Sequence, residues 1–493
     1  MSESKRLDTQ INRGVAWTAA SQTIVAVADL LSQLICVALW MTEAQYGIAM
    51  MAVPLYSILD AISDLGGTSA LIAHDDHTPE RISTLFWSNV LLSTGLFAVL
   101  LVAAPLYGHL LAYPVVGSLL IAYGGKLFVQ NFYAVPYALL RKELRFAEVA
   151  KIRTVAYLAE SITRVVFAAN GIEIWSFTLA ALSKHVVFAV LFMWRHPFIP
   201  KLVFRWSEIA HYIRYGTRSA ASQVLYYTYT NLDYPIVAYY FGATANGIYS
   251  LAYWIVLEAV KTIANVVIDV ALPTFARLRA DREGLIAQFI RLTRLNLIAV
   301  LPFVVLIVLI VPEFLTTAYG GGKWSPAQLA VCGDAARILC LVGLLRALGF
   351  IGPPLLDGIG RPELTLRYMV LATIAVPGSF ILGAELLGDR LGLLSVAIAW
   401  AVGYPIAFAG LLWLIATTVD LPIARYARAS AGIFGCAAAG LALGLVADYR
   451  VVPHAHAGIR MAVIGAAALG GTFGALAIFE HVTPRSIVAS LRG

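Results

Sequence analysis

Residues 215–278 read YGTRSAASQVLYYTYTNLDYPIVAYYFGATANGIYSLAYWIVLEAVKTIANVVIDVALPTFARL. The stretch predicts two apolar helices joined by a short turn at Gly242–Gly247. Each helix is long enough to cross a bilayer, for which about 20 apolar residues suffice. These helices decide the fold, because both also carry polar residues along one face.

The polar residues form one stripe on each helix, at about 100° of rotation per residue. The first stripe contains Arg218, Ser222, Tyr226, Tyr229 and Asp233, and the second contains Glu258, Lys261, Asn265 and Asp269. A charged side chain in mid-bilayer costs about 2.5–3.5 kcal/mol on insertion scales. We therefore expect both stripes to line a shared polar interior instead of facing lipid.

The composition is that of a polytopic membrane protein. Of the 493 residues, 60% are hydrophobic and only 13% are charged, with a mean hydropathy of +0.80. The net charge of +7 is spread over many short loops, which favours a positive-inside membrane protein over a nucleic-acid binder. The four cysteines lie inside apolar spans without paired spacing, so neither a disulfide nor a metal site is predicted.

Hydropathy and turn residues predict an all-α fold of about fourteen transmembrane helices. The predicted spans are 12–40, 47–73, 81–107, 114–140, 146–169, 172–193, 208–241, 246–276, 286–312, 325–356, 363–383, 391–416, 425–447 and 458–480. With the N-terminus inside, most Lys and Arg residues fall in the cytoplasmic segments, whereas the opposite loops hold only Lys323, Arg390, Arg450 and Arg460. This asymmetry predicts that both termini are cytoplasmic.

The chain repeats itself at an offset of about 200 residues. The sequence AASQ occurs at 19–22 and again at 220–223. Farther on, Gly47, Ile48 and Ala52 match Gly247, Ile248 and Ala252. Both copies begin on the cytoplasmic side, which predicts two parallel six-helix lobes with a substrate site between them near the bilayer midplane. The lobes are predicted at 1–200 and 201–420, and two further transmembrane helices at 421–493.

The first two spans carry acidic residues that could couple transport to a cation. Span 1 has Gln22 and Asp29 on one face, and span 2 has Asp60 and Asp64 at i, i+4. Two carboxylates at that spacing repel, so one of them is expected to hold a proton or the two to share a cation. The alternative is that Asp64 lies close enough to the cytoplasmic mouth to be solvated.

Span 4 places an unpaired lysine among tyrosines. Tyr123, Lys126, Gln130, Tyr133 and Tyr137 share one face of this helix. A cation among flat rings suits an anionic, sugar-bearing ligand, whereas the alternative is a lysine that snorkels to the interface. Because Lys126 lies about twelve residues into the span, we favour a position in the polar interior.

Other intramembrane charges are spaced to neutralise each other on one helix. The expected pairs are Glu160–Arg164, Glu258–Lys261 and Asp334–Arg337. Arg346 has no such partner on its own helix, so it is the better ligand candidate of the two arginines on span 10.

No catalytic motif is recognisable. The run Gly320–Gly322 followed by Lys323 lacks the spacing of a phosphate-binding loop, and Trp324 stands where Ser or Thr is needed. HExxH, GxSxG and paired-cysteine patterns are absent from the sequence. We therefore predict a protein without catalytic residues, and the short outer loops argue against a membrane glycosyltransferase or polysaccharide polymerase.

A series of short motifs, in order, resembles a known family. They are Gly14–Trp17, Asp64–Gly66, Thr84–Asn89, Lys142–Phe146, Asn231–Asp233, Leu272–Ala276, Gly322–Trp324 and Val342–Arg346. Together they resemble the bacterial exopolysaccharide and O-antigen flippases of the MOP superfamily, the Wzx type, closest to the colanic-acid-like branch. The resemblance covers spans 1 to 11 well and spans 13 and 14 by topology alone.

The resemblance implies a multi-pass protein of the bacterial inner membrane that works by alternating access. Its substrate would be an undecaprenyl-diphosphate-linked oligosaccharide for exopolysaccharide, O-antigen or capsule assembly. Its partners would be membrane lipid, a polymerase and a chain-length regulator, and no nucleic acid is expected among them. The family's cationic cavity fits Lys126, Arg218, Lys261 and Arg346 as contacts to diphosphate and acidic sugar. Further substrate contacts are expected at Tyr133, Tyr226, Tyr229 and Gln22. No cofactor is expected beyond a coupling Na⁺ or H⁺, for which the candidates are Asp29, Asp60, Asp64, Asp233, Glu258 and Asp269.

Two alternatives stay open on the sequence. The nearer one is a cation-coupled multidrug exporter of the same superfamily, which would use membrane acids such as Asp29 or Asp60. The second is a membrane polysaccharide polymerase or glycosyltransferase. Lipid II flippases, a sister group, carry arginine within the first helix, whereas span 1 here has only Asp29 as a charged residue after Arg13 at its start, which argues against a peptidoglycan precursor.

Overall fold

The computed structural model describes residues 3–63, 78–143, 145–451 and 455–482, without the side chains of 3–16, 18–20 and 207–219. Helices are the only regular elements in these ranges, which confirms the all-α prediction. Eleven helices of the described part are long and apolar enough to cross a membrane. The chain is thus a multi-pass membrane protein.

The chain divides into two units, Met1–Gly247 and Ile248–Gly493. The first unit contains α1 Glu3–Leu39, α2 Glu43–Met51, α3 Val53–Ser63, α4 Pro79–Leu110, α5 Pro114–Gly124, α6 Lys126–Lys142, α7 Phe146–Ala169, α8 Glu173–Arg195, α9 Trp206–Asn231 and the start of α10 Asp233–Tyr253. The second continues through a π-helical turn, Trp254–Glu258, into α11 Ala259–Leu278, α12 Arg282–Tyr319, α13 Pro326–Gly349, α14 Gly352–Gly358, α15 Pro362–Leu391, α16 Leu394–Val419, α17 Ile423–Val446 and α18 Ala457–Phe479. The lobe boundary near residue 200 stays a prediction.

Each predicted span contains helix, but four of the spans are interrupted within the described residues. Span 2 is interrupted at Ala52, span 4 at Gly125, span 7 at Leu232 and span 10 between Gly349 and Gly352. The helices of spans 146–169, 208–241 and 246–276 are not among the eleven apolar ones, so the count of fourteen stays a prediction. Several helices also extend past the predicted ends, because hydropathy marks only the apolar part of a helix.

Short local sequences determine where several helices begin. Thr42 accepts a hydrogen bond from the Gln45 backbone N–H at 3.2 Å, and the Gln45 side chain accepts one from the Thr42 N–H at 2.9 Å. Ser325 and Gln328 form the same reciprocal capping box ahead of α13. Helices α4 and α13 each have a proline in their first turn. The N–H groups of a first turn have no partner within the helix, so the missing N–H of proline costs no helical hydrogen bond there.

The turn predicted at Gly242–Gly247 is narrower in the structure. Only Gly242 leaves the helical conformation, with φ of 81° and ψ of −180°. A positive φ favours glycine, which has no Cβ to clash with the backbone. The helix resumes at Ala243, whose N–H donates to the Tyr113 hydroxyl at 3.0 Å. The break therefore leaves this backbone donor satisfied.

Two glycines of the internal repeat contact each other inside the first unit. A Cβ placed on Gly47 would overlap the carbonyl oxygen of Ala243, and one placed on Gly247 would overlap that of Glu43. The side-chain amide of Asn246 donates to the Gly47 carbonyl oxygen at 2.8 Å. The contact is reciprocal across the repeat, and the absence of a side chain on both glycines lets the two backbones approach.

We expect Gly47→Ala to destabilise the protein, because its methyl group meets backbone that cannot rotate away. Overpacking of this kind costs about 1–3 kcal/mol, so the midpoint of thermal unfolding of the purified protein should fall by several degrees. Gly95→Ala is the matched control, since nothing lies within 4 Å of the added Cβ on this α4 glycine. Equal unfolding temperatures for the two variants would contradict the close approach.

Candidate functional site

Three ion pairs link neighbouring helices inside the first unit. They are Asp29–Arg164 between α1 and α7, Asp60–Lys126 between α3 and α6, and Glu160–Lys184 between α7 and α8. Every one of these residues lies within a predicted membrane span. Because charged groups lose their hydration there, each pair needs further hydrogen bonds to be tolerated. These pairs and their neighbours form the candidate site of the first unit.

Lys126 is buried and pairs with an acidic side chain. Its side chain is only 2% exposed, and its ammonium group contacts the Asp60 carboxylate directly. The Tyr123 hydroxyl donates to both oxygens of the same carboxylate, at 3.0 and 3.1 Å. The Tyr123 ring in turn stacks on Tyr56, with 3.9 Å between ring centroids. The prediction of an unpaired lysine is therefore wrong, because its partner comes from a different helix.

Arg164 also takes its partner from another helix. One guanidinium nitrogen donates to the Asp29 carboxylate at 2.8 Å and to the Ser32 hydroxyl at 2.9 Å. Glu160 lies instead 3.1 Å from the Lys184 ammonium group. The predicted Glu160–Arg164 pair is thus wrong. The i, i+4 spacing along α7 would allow that pair, but each of the two residues has a closer partner on a neighbouring helix.

The acidic partner is the accessible one in two of the three pairs. The side chain of Asp60 is 46% exposed against 2% for Lys126, and that of Asp29 is 45% exposed against 7% for Arg164. A proton or cation approaching either pair therefore meets a carboxylate first. Lys126 and Arg164 themselves are shielded from solvent.

An aromatic cluster continues from Lys126 along α6 and α8. The Tyr133 hydroxyl and His185 Nδ1 are 2.8 Å apart, and the two rings are stacked. The His185 ring also meets Tyr123 edge-on, at 6.4 Å between centroids. His185 is buried, and sequence reasoning missed it, although a histidine directly after Lys184 inside an apolar span was a signal for a polar cluster.

In the second unit, Arg346 of α13 lies among aromatic rings. It is 2% exposed and donates to the Tyr253 hydroxyl at 3.2 Å. Its guanidinium carbon lies 5.5 Å from the ring centroids of both Phe350 and Trp400. Trp400 itself donates from its indole nitrogen to the Tyr249 hydroxyl at 2.9 Å. Cation–π contacts and the hydrogen bond stabilise a charge that has lost its water.

The two pairs predicted within one helix of the second unit are present. Glu258 and Lys261 approach to 3.4 Å, and Asp334 and Arg337 to 3.9 Å. The Glu258 carboxylate and the Lys261 ammonium group remain partly accessible, so this pair can still exchange partners.

The other site residues predicted from the sequence differ from one another in burial. Asp233 is fully buried at the start of α10, where its carboxylate accepts the Tyr234 N–H at 3.0 Å. Tyr229 is buried and meets the Tyr226 ring edge-on at 5.6 Å. Gln22 on α1 and Asp269 on α11 are exposed. The Arg218 side chain and all of Asp64 lie outside the described residues.

Cys36, Cys332, Cys340 and Cys436 are all buried thiols. Within the described ranges, no three His, Cys, Asp or Glu side chains are grouped so that they could hold a metal ion. The prediction that the protein needs no metal stays a prediction.

The unequal exposure of the Asp60–Lys126 pair predicts unequal mutational costs. Asp60→Asn removes the carboxylate that contacts a buried ammonium group, whereas Lys126→Met leaves a carboxylate that is already half exposed. Removing one partner of a buried pair costs about 3–5 kcal/mol, and we expect Asp60→Asn to approach that range and Lys126→Met to stay well below it. Thermal unfolding of the purified variants measures the difference.

The double variant Asp60→Asn/Lys126→Met should recover much of the loss, because no charge is then stranded. Glu80→Gln is the control, since the Glu80–Lys201 pair is solvated and such pairs contribute little to stability. A Lys126→Met protein less stable than Asp60→Asn would overturn the assignment of the buried partner.

Comparison with known proteins gives the family. Residues 37–329 match the family described as "Polysaccharide biosynthesis protein", which is more than half of the chain. The lipopolysaccharide biosynthesis protein WzxC of Escherichia coli (strain K12) is 25% identical over 400 residues, covering 78% of each chain. The teichuronic acid biosynthesis protein TuaB of Bacillus subtilis (strain 168) is 25% identical over 432 residues, covering 85% of this chain and 84% of TuaB. The succinoglycan biosynthesis transport protein ExoT of Rhizobium meliloti (strain 1021) is 23% identical over 391 residues, 76% of this chain and 74% of ExoT.

Solved structures show a related fold. The lipid II flippase MurJ in an inward closed conformation superposes with a TM-score of 0.70 at 14% identity, over 95% of this chain and 98% of MurJ. An inward-facing multidrug resistance MATE family transporter of the MOP superfamily gives 0.61 at 19% identity, over 80% of this chain and 95% of the transporter. At these identities the similarity shows the fold alone, and it confirms the predicted all-α polytopic membrane fold. The match over residues 37–329 confirms the resemblance inferred from the sequence motifs: the chain belongs to the family of polysaccharide biosynthesis proteins.

Proposed function

We propose that this protein is a flippase that moves an undecaprenyl-diphosphate-linked oligosaccharide from the inner to the outer leaflet of the bacterial inner membrane. The product would serve exopolysaccharide, O-antigen or capsule assembly, together with a polymerase and a chain-length regulator. The observation that carries the proposal is the family match over residues 37–329, in a chain whose described part contains eleven candidate membrane helices. Relatives named for polysaccharide biosynthesis and transport support it.

Transport would proceed by alternating access and without catalysis. In this proposal the lobes at 1–200 and 201–420 rock against each other, the two helices within 421–493 are an addition, and both termini face the cytoplasm. The substrate binds near the midplane through cationic and aromatic side chains. The proposed contacts are Lys126, Arg218, Lys261 and Arg346, with Tyr133, Tyr226, Tyr229 and Gln22.

The surroundings of Arg346 favour such a ligand. A guanidinium group presents paired N–H donors that match phosphate oxygens. The neighbouring Tyr249, Tyr253 and Trp400 rings could cover the C–H faces of a sugar. In a closed cavity of low dielectric, few such contacts are needed for useful affinity.

The Asp60–Lys126 pair gives a mechanism for coupling. Neutralising the half-exposed Asp60 carboxylate, by a proton or a cation such as Na⁺, would remove the anion that holds Lys126. Lys126 could then bind the substrate diphosphate, and substrate release would return it to Asp60. Asp29 could act on Arg164 in the same way, since its side chain has similar exposure. The other proposed coupling acids are Asp64, Asp233, Glu258 and Asp269.

The same exposed acids favour a second candidate, a cation-coupled multidrug exporter. Carboxylates accessible within membrane helices suit cationic drugs as well as coupling ions. The fold similarity to a multidrug transporter of the MOP superfamily supports this candidate, although at a lower TM-score than that of the lipid II flippase.

The leaflet distribution of the lipid-linked oligosaccharide separates the two candidates. Deletion should trap the lipid in the inner leaflet, and wild-type protein should restore it to the outer leaflet. The double variant Lys126→Ala/Arg218→Ala should fail to restore it while inserting normally into the membrane.

Lys201→Ala is the matched control, because this lysine is exposed and pairs only with Glu80 at the described surface. It should restore transport fully. An unchanged leaflet distribution on deletion, together with altered drug sensitivity, would favour the exporter and overturn the flippase proposal.

A further inference from the structure

A cavity of about 280 Å³ lies in the first unit, where α6 ends and α7 begins. It is lined by Arg141 and Tyr137 of α6, by Arg153 and Phe146 of α7, and by Ser21 of α1. This segment joins predicted spans 4 and 5, on the side that the distribution of basic residues predicts to be cytoplasmic. The cavity is therefore distinct from the ion pairs deeper in the membrane spans.

The two arginines of the cavity contact tyrosines. Arg141 donates to the Tyr137 hydroxyl at 3.3 Å, and the guanidinium of Arg153 lies 5.9 Å from the Tyr157 ring centroid. Among the described residues, neither forms an ion pair with a carboxylate. The neighbouring acids Glu143 and Glu148 bind Arg145 instead, at 3.2 and 2.8 Å. Two positive charges that no described carboxylate pairs with therefore line the same cavity.

The walls are already held in place by contacts that do not involve a ligand. The Ser21 hydroxyl donates to the Ala150 carbonyl oxygen at 3.1 Å, which ties α1 to α7. The Tyr137 ring meets Phe192 of α8 edge-on at 5.5 Å. A cavity with fixed walls can bind a ligand with little loss of conformational entropy.

Size and chemistry limit the ligand. Small-molecule sites usually enclose about 300–1,000 Å³, so this cavity is too small for an oligosaccharide but suits a headgroup. Two guanidinium groups offer paired N–H donors, the geometry that phosphate oxygens prefer. The apolar wall formed by Phe146 and Val149 suits the first carbons of a lipid chain.

We propose that this cavity is a docking site for the diphosphate headgroup of the lipid substrate, which binds here before it enters the translocation pathway. The inference rests on the proposed function, since it names a first binding step for the same substrate. It assigns Arg141 and Arg153 to phosphate binding, a role separate from that of the deeper cations Lys126 and Arg346.

The test measures binding of undecaprenyl diphosphate to the purified full-length protein in nanodiscs. Arg141→Gln/Arg153→Gln should weaken binding by about tenfold to a hundredfold per arginine, the range expected for lost hydrogen bonds to a charged group. Arg145→Gln is the matched control in the same segment and should bind like wild type, because Glu143 and Glu148 already neutralise Arg145. Thermal unfolding of each variant shows whether it is folded.

If the glutamine variant does not fold, Arg141→Lys/Arg153→Lys takes its place. It keeps the charge but loses the paired donors, so binding should weaken by a smaller factor. Wild-type affinity in a folded double variant would overturn the proposal. Equally effective competition by phosphatidylglycerol vesicles or by inorganic pyrophosphate would also overturn it, because the site would then not select a lipid diphosphate.

The outcome of this binding test can be distinguished from the outcome of the leaflet experiment. If deletion leaves the leaflet distribution unchanged while the arginine variant loses diphosphate binding, the flippase proposal fails, and the cavity remains a binding site for a lipid diphosphate without a role in translocation. If deletion traps the lipid but the folded arginine variant binds normally, only the docking site fails.

Discussion

The structure of the first unit depends on one constraint: a charge placed among membrane helices must find a partner there. Lipid cannot solvate it, and the interaction of two unlike charges is correspondingly strong in a low dielectric. The pairs Asp29–Arg164, Asp60–Lys126 and Glu160–Lys184 meet this requirement between different helices. They therefore hold α1 against α7, α3 against α6 and α7 against α8, and they also keep charged groups in the interior of the unit.

The same constraint makes the pairs suitable for transport. A fully buried pair would be a purely structural feature, but Asp60 and Asp29 are about half exposed while their basic partners are not. In the proposed mechanism the exposed carboxylate acts as an exchangeable counter-ion for the buried cation. Neutralising it makes the cation available for a diphosphate, so binding of the coupling ion and binding of the substrate favour each other. The aromatic surroundings of Arg346 serve a different purpose, since they hold a buried cation in place through a hydrogen bond from Arg346 to Tyr253 and a cation–π contact with Trp400.

Much of this could be predicted from the sequence, and the failures have a common physical cause. Composition and hydropathy predicted an all-α membrane protein, ordered motifs predicted the family, and a glycine at the helix break predicted Gly242. Pairs on one helix, such as Glu258–Lys261, were predicted correctly because α-helical spacing alone brings them together. The partners of Lys126 and Arg164 were not, because helical periodicity relates residues on one helix and carries no information about which helix lies next to it. The reciprocal contact of Gly47 and Gly247 was likewise beyond reach, although the repeat had matched the two glycines.

The most direct test of exchange at Asp60 uses purified protein in proteoliposomes that contain an undecaprenyl-diphosphate-linked oligosaccharide. Transbilayer movement of the lipid is followed with and without an imposed pH or Na⁺ gradient, for wild type and for Asp60→Asn. We predict that purified wild-type protein moves the lipid without any other protein and that one of the two gradients accelerates this movement. Asp60→Asn should no longer respond to that gradient. Failure of the purified wild type to move the lipid, or an undiminished response in Asp60→Asn, would contradict it.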